Sequence, residues 1–322
     1  MSHGADQRLV VTDQAFGNTA HEQAAAKAAG AAFAEHQCRS EDETLAAVSN
    51  AQVVINNFAP MTRRVLGALA PGAVVVRYGV GVDNVDLDAA RDLGVHVCNV
   101  PDYGVDEVAD HAAAFTLALS RRLDSFSAGI RQGNWKIGEM VDRVVSLRDS
   151  TVGVIGMGRI ARAYAARMAV FGCRIVGYDP YVADKDARAW GIEPLAHDAV
   201  VECANILSLH APATPETHHS IDASMIARMP LGAILVNCSR GGLVDEVALA
   251  EALKSGRLSG AGLDVFETEP LPVASPLRDA PHLFMSPHAA FYSEVSVDTL
   301  QRLAAEEALR GLRGEPLRCA LT

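Results

Sequence analysis

The sequence T-V-G-V-I-G-M-G-R-I-A, residues Thr151–Ala161, decides how this chain folds. Its first five residues are mostly apolar and β-branched, which predicts a buried strand of a parallel sheet. The run then breaks at two glycines, and apolar side chains recur at helical spacing over Arg159–Phe171. Strand, glycine turn and helix in this order predict the start of a Rossmann βαβ unit.

Three small residues in this stretch occupy the positions that a dinucleotide-binding turn requires. Gly156 allows a tight turn between strand and helix, and Gly158 lets the backbone approach a pyrophosphate. Ala161 takes the third position, where a small residue permits close packing of helix and strand. The N–H groups and the dipole at the start of the helix would then hold the pyrophosphate.

An acidic residue follows at the spacing expected for ribose recognition. The next predicted strand, Arg174–Tyr178, ends in Asp179, about 20 residues beyond the glycines, where a carboxylate binds the adenosine ribose hydroxyls. The charge of Asp179 would repel the 2′-phosphate of NADP, and Pro180-Tyr181 supplies no arginine to receive one. The glycine pattern alone also occurs in unrelated α/β turns. Together with two strands, a helix and the acid, it predicts an NAD site.

The composition limits the class of protein. A chain of 322 residues with 49% hydrophobic residues suits two α/β domains and excludes general disorder. No apolar run is long enough to span a membrane, and the N-terminal residues lack the apolar core of a signal peptide. The six cysteines are scattered without a C-x-x-C pair, which favours a reducing cytoplasm. A formal charge of −11 argues against nucleic acid or an anionic membrane as the main partner.

Strands and helices alternate before the glycine motif begins. The predicted strands are Arg8–Thr12, Ala31–His36, Gln52–Asn56, Ala73–Tyr78 and Val95–Val100. The predicted helices between them are Thr19–Ala29, Glu41–Ser49, Thr62–Leu69 and a short one after Asn84. These elements form a complete parallel α/β unit, so the motif opens a second domain.

The rest of the chain continues the same alternation. A long helix is predicted over Val105–Leu123, because acids fill its first turns and two arginines end it. Further strands are predicted at Asn205–Leu209, Ala233–Asn237, Gly260–Val265 and His282–Met285. The closing helix, Ser293–Leu312, is expected to pack back on the first domain.

These elements predict an α/β protein with two Rossmann-like domains, each built on a parallel sheet, and a cleft between them. The first is a flavodoxin-like substrate domain formed by residues 1–101 and 291–322. The second is a dinucleotide-binding Rossmann domain formed by residues 102–290.

Polar residues after the later strands are candidates for chemistry, because ligands of open α/β sheets bind beyond the carboxyl ends of the strands. Arg240 follows Ala233–Asn237 between small residues, and its planar fork suits a carboxylate or a carbonyl oxygen that gains charge. The alternative is a surface arginine paired with an acid.

His288 follows the strand His282–Met285, and imidazole titrates near physiological pH, so His288 is a candidate acid and base. Glu269 would hold the tautomer of His288 if their two loops meet. A hydrogen-bonded structural histidine is the alternative. His210, His218 and His219 have no carboxylate or cysteine at ligand spacing, so they are predicted to be structural and no metal is assigned.

Three motifs together resemble the D-isomer-specific 2-hydroxyacid dehydrogenase family. They are N-C-S-R-G-G-L-V-D around Arg240, L-D-V-F-E-T-E-P around Glu269 and S-P-H-A-A around His288, and the loop Gly79–Asn84 is similar as well. The similarity runs from about Gln52 to Arg310. Within the family, Y-D-P-Y at 178–181, H-H-S-I-D at 218–222 and P-H-A-A-F-Y-S-E at 287–294 look most like the C-terminal-binding-protein branch.

The resemblance implies a set of site residues. It implies a catalytic trio of Arg240, Glu269 and His288. It implies NAD contacts at Ile155, Gly156, Gly158, Arg159, Ile160, Asp179, His210, Ala211, Pro212, Thr217, Cys238, Ser239, Asp264 and Ala290, with Asp264 meeting the nicotinamide amide. The substrate carboxylate would meet the backbone near Val80 and Gly81, and Arg77 is a second clamp unless it is a surface arginine at a strand end. Phe291 stands where the branch commonly carries a tryptophan that faces the substrate.

The resulting prediction is a cytoplasmic, NAD-dependent D-2-hydroxyacid dehydrogenase or 2-oxo acid reductase that forms a homodimer. A small 2-oxo or 2-hydroxy acid is the expected binding partner. The helix Val105–Leu123 is expected to form the dimer interface. Pro101 and the Phe291 region are expected to act as hinges between the two domains. One alternative is an NAD-sensing, corepressor-like binding protein, which would not need all three catalytic residues. A second alternative is a phosphoglycerate-type enzyme. It is disfavoured because Asn56-Asn57 occupies a loop that would carry more basic residues, and because a regulatory C-terminal domain is not expected. A third alternative is a formate dehydrogenase, which is disfavoured because the active-site insertions of that enzyme are not seen in the sequence.

Overall fold

The computed structural model describes residues 7–141 and 144–322. The chain divides into two compact units. The first unit comprises the chain up to Gly104 together with Tyr292–Thr322, and the second unit is Val105–Phe291.

The strands of the described chain are short and mostly buried. They are β1 Arg8–Val11, β2 Ala32–Glu35, β3 Val53–Asn56, β4 Val74–Arg77, β5 His96–Cys98, β6 Thr151–Ile155, β7 Arg174–Tyr178, β8 Glu193–Pro194, β9 Ile206–Leu209, β10 Ala233–Asn237, β11 Leu258–Leu263 and β12 Leu283–Met285. Runs such as Val-Val-Ile in β3 and Ile-Leu-Val in β10 are apolar on both faces, because helices cover both sides of a parallel sheet.

The helices alternate with these strands. They are α1 Ala20–Ala29, α2 Glu41–Val48, α3 Arg63–Leu66, α4 Leu87–Leu93, α5 Val105–Ser120, α6 Leu123–Arg131, α7 Ile137–Met140, α8 Arg159–Val170, α9 Asp184–Ala189, α10 His197–Cys203, α11 Ala223–Arg228, α12 Glu246–Lys254 and α13 Glu294–Arg313. Several begin at side-chain caps, such as Ser40 on α2 and Asp245 on α12. No helix in residues 7–141 or 144–322 combines the length and the apolar character needed to cross a membrane.

Each unit is built on one parallel sheet. In the first unit the strand order is β2-β1-β3-β4-β5, which is the flavodoxin-like order. In the second unit the order is β12-β11-β10-β9-β6-β7-β8, so the chain reverses direction across the sheet between β6 and β9. The carboxyl ends of β6 and β9 therefore flank the crevice in which Rossmann domains bind ligands. The predicted fold class, α/β with two parallel sheets, is confirmed.

The closing helix packs on the first unit, as predicted. On α13, Leu300, Ala304 and Leu312 lie in the same buried cluster as Leu9 and Val74 of the sheet. Beyond α13 the chain returns to the edge strand β5, where Leu321 N–H donates to Val97 O at 2.8 Å. The C-terminal residues thereby cover a sheet edge that would otherwise expose unpaired backbone groups.

The structure corrects the predicted helix Val105–Leu123. The helix ends at Ser120, and Arg122 adopts a left-handed conformation with φ 54° before a second helix, α6, begins. Arg122 donates from Nη1 to Ser259 O at 2.5 Å, and this tertiary contact at the bend is not visible in the local pattern. Helix α6 and the two-residue strand β8 were not predicted.

Candidate active site

The turn after β6 has no space for a side chain at Gly156. This residue has φ 85°, and a Cβ there would lie 2.7 Å from the carbonyl carbon of His210. The N–H of His210 donates to Ile155 O at 2.8 Å, so the loop after β9 lies directly against the glycine turn. Gly156 therefore allows the two strand ends at the switch point to approach each other.

The N-terminus of α8 has the properties of a pyrophosphate site. Gly158 is the N-cap, no side chain of the described residues caps the helix, and no acid lies in its first turn. Among residues 7–141 and 144–322, a Cβ on Gly158 would meet no atom within 4 Å outside its own turn, so the space above the backbone is open there. Ala161, in the first turn of the helix, is fully buried. Uncapped N–H groups, the positive end of the helix dipole and open space fit the pyrophosphate of a dinucleotide.

Asp179 lies beside the same turn. Its Oδ2 accepts a hydrogen bond from Met157 N–H at 2.8 Å, and its Oδ1 accepts one from Tyr181 N–H at 2.9 Å. Both bonds fix the carboxylate at the end of β7, next to the glycine turn. This position fits recognition of a ribose diol.

His210 directly follows β9 and is half-buried. Its Nε2 lies 2.9 Å from Ser208 Oγ, and its ring centroid is 5.4 Å from that of Tyr164. Burial lowers the pKa of His210 to about 4, so the ring is neutral at physiological pH. His210 is therefore a neutral, hydrogen-bonded ring, and its predicted contact with NAD stays a prediction.

The other residues predicted to contact NAD lie in well-fixed loops of the second unit. Thr217 Oγ1 donates to Pro212 O at 2.8 Å and closes the loop that follows Ala211. Ser239 donates from its N–H to Asn237 Oδ1 at 3.0 Å. Arg159 and Ile160 open α8, and Cys238 and Ala290 are buried. Burial raises the pKa of the Cys238 thiol well above its ordinary value.

The loop that carries Arg240 packs closely on the loop that carries Glu269. A Cβ on Gly241 would lie 1.9 Å from the carbonyl carbon of Phe266, so only glycine fits between the two backbones. Asn237 Nδ2 donates to Arg240 O at 2.8 Å, and Arg240 Nη1 donates to Ser239 O at 2.6 Å. The arginine is thus held next to the Glu269 loop.

The loops of Glu269 and His288 meet. Nδ1 of His288 lies 2.8 Å from Oε2 of Glu269, and Oε1 of Glu269 accepts a hydrogen bond from Phe266 N–H at 3.0 Å. Partial burial opposes ionisation of Glu269, but the hydrogen bond and charge of His288, with a further contribution from Arg240, lower its pKa below the ordinary value. An ionised carboxylate accepts the hydrogen on Nδ1, so the opposite ring nitrogen, Nε2, is the basic one in neutral His288.

Asp264 is hydrogen-bonded to the loop that carries His288 and fixes its position. Its side chain is 1% exposed. Its carboxylate accepts hydrogen bonds from Ser286 Oγ at 2.5 Å, Ala289 N–H at 2.8 Å and Ala290 N–H at 2.9 Å. Its backbone oxygen accepts one from His288 N–H at 2.8 Å. Within the chain Asp264 thus anchors the loop of His288, and the contact with the nicotinamide amide that the resemblance implied stays a prediction.

A second histidine–glutamate pair involves the loop that carries Glu269. Nε2 of His219 lies 3.1 Å from Oε1 of Glu267, two residues before Glu269. Glu267 and Glu246 each donate a backbone N–H to the other's carboxylate, at 2.7 and 3.2 Å. These contacts fasten the Glu269 loop to the start of α12.

The first unit places its predicted substrate residues at the end of β4 and in the loop that follows it. Arg77 donates from Nη1 to Tyr78 O and lies directly below Gly79, which has φ 127°. Val80 is 44% exposed, its carbonyl accepts a hydrogen bond from Asn99 Nδ2 at 2.6 Å, and Gly81 is half-buried. In the second unit, Phe291 packs against the cluster that contains Ala290.

An acid that the sequence did not single out organises the neighbouring loop. The carboxylate of Asp13, 6% exposed, accepts hydrogen bonds from the N–H groups of Asn57, Phe58 and Ala59 at 3.1, 2.6 and 3.2 Å. Asn84 Nδ2 joins this loop to the one after β4 by donating to Asn56 Oδ1 at 2.7 Å. Asp13 could have been identified from the sequence, because an acid that comes directly after a buried strand is a candidate for a functional or loop-organising role.

Comparison with known proteins identifies relatives of this chain. Residues 113–290 match the model of the family described as D-isomer specific 2-hydroxyacid dehydrogenase, NAD binding domain. D-3-phosphoglycerate dehydrogenase of Mycobacterium leprae is 41% identical over 272 residues, which is 84% of this chain and 51% of the relative. The chain thus spans about half the length of the curated relatives it matches.

Solved structures match over nearly the whole chain. The TT0316 protein from Thermus thermophilus has a TM-score of 0.85 and 32% identity, and the match covers 98% of this chain and 100% of that protein. D-lactate dehydrogenase from Aquifex aeolicus, solved in complex with NAD and lactic acid, has a TM-score of 0.85 and 26% identity, with 95% and 96% covered.

Proposed function

The chain belongs to the D-isomer specific 2-hydroxyacid dehydrogenase family, and we propose that it is an NAD-dependent dehydrogenase that interconverts a small D-2-hydroxy acid and its 2-oxo acid. The second unit contains the NAD-binding domain of that family. The observation that supports catalysis is the 2.8 Å contact between His288 Nδ1 and Glu269 Oε2, beside the loop of Arg240. A protein that only senses NAD would not need this arrangement.

His288 is proposed to move the proton. In oxidation, the hydroxyl of the 2-hydroxy acid gives its proton to Nε2 of His288 as the carbon–oxygen double bond forms. The imidazolium is stabilised by ionised Glu269 on its opposite side. In reduction, the same nitrogen returns the proton to the carbonyl oxygen. Arg240 is proposed to orient the oxo acid and stabilise the negative charge that grows on this oxygen.

NAD is proposed to bind at the glycine turn and the start of α8. The N–H groups of α8 would hold its pyrophosphate, and Asp179 its adenosine ribose. When bound, the nicotinamide accepts or supplies the hydride. The other predicted cofactor residues stay part of this proposal. Ile155, Gly156, His210, Ala211, Pro212 and Thr217 line the loops at the β6–β9 switch point.

The first unit is proposed to be the substrate domain, with Arg77, Val80 and Gly81 as its substrate-binding residues. We propose an unphosphorylated acid as the substrate. Three N–H groups of the loop after β3 donate to Asp13, so they do not remain for a phosphate, and the acid itself would repel one. Because the mycobacterial relatives are D-3-phosphoglycerate dehydrogenases, 3-phosphohydroxypyruvate is the substrate to test against this proposal.

Placement in the C-terminal-binding-protein branch also remains a proposal. It is supported by the motifs at 178–181, 218–222 and 287–294. The smaller ring of Phe291 would admit a bulkier acid than a tryptophan there. A cytoplasmic location is proposed because all six cysteines are free thiols in this structure.

The homodimer is proposed to form through α6 and α7 rather than through α5. The apolar face of α5 is used within the second unit, where Ala112 and Phe115 are buried. By contrast, Leu123, Ile130, Trp135 and Ile137 are 56%, 48%, 83% and 67% exposed. Such a patch is typical of a protein interface. Trp135→Glu with Ile137→Glu should convert a dimer to a monomer in sedimentation velocity, and an unchanged sedimentation coefficient would refute this interface.

The activity is tested by following NADH absorbance with a panel of 2-oxo acids. The panel comprises glyoxylate, hydroxypyruvate, pyruvate, phenylpyruvate, 2-oxo-4-methylthiobutyrate and 3-phosphohydroxypyruvate. We expect turnover of at least one unphosphorylated acid, loss of turnover in His288→Ala and wild-type turnover in His36→Ala, a matched change at an exposed histidine of the first unit. If NADH binds but no acid turns over, or if His288→Ala remains active, the proposed function is wrong.

A further inference from the structure

We propose that Ser286 and His111 are positioning residues for the histidine loop, the segment Ser286–Ala290, and that they act through Asp264. The proposal rests on the proposed role of His288 as acid and base. His111 lies outside the motifs that predicted the site, and Ser286 opens the S-P-H-A-A motif without a role assigned to it.

The histidine loop needs an external restraint because of its backbone conformation. His288 has φ 52°, a left-handed value that residues with a side chain adopt rarely. It is held there by its N–H, which donates to Asp264 O at 2.8 Å. The N–H groups of Ala289 and Ala290 donate to the Asp264 carboxylate. The geometry of His288 thus depends on a buried acid that must itself be fixed.

Ser286 completes the hydrogen bonding of that acid. Its hydroxyl donates to Oδ1 of Asp264 at 2.5 Å, the same oxygen that accepts from Ala289 N–H. A carboxylate with 1% exposure has lost its water and depends on such donors. Without the hydroxyl, Asp264 would rotate or draw in water, and the bonds to Ala289 and Ala290 would change with it.

His111 orients the hydroxyl of Ser286. Its Nε2 lies 2.8 Å from Ser286 Oγ. Since the hydrogen of Ser286 points to Asp264, the oxygen accepts, and Nε2 of His111 carries the hydrogen. A directed chain of donors therefore runs from His111 on α5, through Ser286, to Asp264.

The position of His111 is set by close packing of α5 on β11. Its ring meets the ring of Phe115 edge-on, with centroids 4.6 Å apart. Phe115 in turn lies over Gly262, where a Cβ would come within 2.7 Å of the phenyl group. Gly262 stands two residues before Asp264, so the helix and the acid share one rigid support.

The test measures steady-state kinetics and the imidazole NMR signals of His288, which are assigned by their loss in His288→Ala. We expect Ser286→Ala and His111→Leu each to lower kcat roughly 10- to 100-fold, the cost of misplacing a catalytic group by about 1 Å, with little change in the KM for NADH. Both should shift the His288 signals. The double variant should be no worse than Ser286→Ala alone, because the two residues act in series.

Rescue separates positioning from general damage. Ser286→Thr keeps a hydroxyl and His111→Gln keeps an N–H donor, so both should restore most of kcat. Ser255→Ala, which removes a hydroxyl at the end of α12, is the matched control and should match the wild type. The proposal is overturned if Ser286→Ala and His111→Leu leave kcat and the His288 signals unchanged, or if the rescue variants lose as much activity. If the wild type turns over no acid, the proposed function fails, and the His288 signals alone decide the positioning proposal.

Discussion

Gly241 lies so close to Phe266 that a Cβ on the glycine would stand 1.9 Å from the phenylalanine's carbonyl carbon. This approach brings the Arg240 loop and the Glu269 loop together, although each follows a different strand. The contact is between two backbones, so no side-chain rotation can relieve an added methyl group.

Gly241→Ala is therefore expected to displace the Glu269 loop. We expect a loss of about 1–3 kcal/mol in the free energy of unfolding, typical of overpacking, together with a fall in kcat. Urea unfolding and steady-state kinetics measure the two effects. The control is Gly242→Ala, whose Cβ would meet His218 at an ordinary 3.7 Å. Equal behaviour of the two variants would contradict this account.

Alanine substitutions at the two glycines of the cofactor turn, Gly156 and Gly158, should differ in their effects on stability and NADH affinity. Gly156→Ala combines φ 85° with a Cβ 2.7 Å from the His210 backbone, so both unfolding free energy and NADH affinity should fall. In Gly158→Ala the added methyl group meets no neighbour within 4 Å in the part of the chain that the structure describes. The fold should therefore keep its stability while the methyl group obstructs the pyrophosphate. NADH titration by fluorescence and urea unfolding distinguish the cases. Wild-type NADH affinity in Gly158→Ala would refute the proposed pyrophosphate site.

Much of this organisation was predictable because it depends on local patterns. Apolar runs bounded by glycine and proline located β6, β7 and β10 with their observed ends. The resemblance brought Arg240, Glu269 and His288 together as a trio, and the structure shows that the Glu269 and His288 side chains meet.

What the sequence did not predict depends on contacts between distant residues. The break at Arg122 follows from a bond to Ser259, which is 137 residues away. The roles of Asp13, Ser286 and His111 depend on which loops lie side by side, and single polar residues carry no periodic signal. The short strand β8 has two residues and exists only as an addition to β7.

Glu22 in the first unit should make stability depend on pH. It is fully buried, its Oε1 accepts a hydrogen bond from Tyr78 OH at 2.7 Å, and burial raises its pKa above the ordinary 4.5. The folded state therefore holds its proton more tightly than the unfolded chain does. Stability should fall as pH rises from about 4.5 through the raised pKa. Glu22→Gln, which is neutral throughout, should be the more stable protein at neutral pH, with a difference that disappears in acid.

The Glu22 prediction is measured by urea unfolding between about pH 4 and 8. Glu306→Gln is the matched control, since Glu306 is exposed and pairs with Arg302 on the same helix. A wild-type protein as stable as Glu22→Gln at neutral pH would show that Glu22 keeps its ordinary pKa.

His210 should make stability depend on pH in the opposite direction to Glu22, so that stability decreases as the solution becomes more acidic. Burial lowers its pKa to about 4 from the ordinary 6.5, so the unfolded chain binds one more proton between these values. Stability should therefore decrease as pH falls from about 6.5 to about 4, and His210→Gln should lose this part of the decrease. The unfolding midpoint in urea, measured in steps across that window, provides the test, with exposed His36→Gln as the control. Parallel pH curves for the wild type and His210→Gln would mean that His210 becomes protonated in the folded chain as readily as in the unfolded one. The conclusion that His210 is neutral at the β6–β9 switch point would then be wrong.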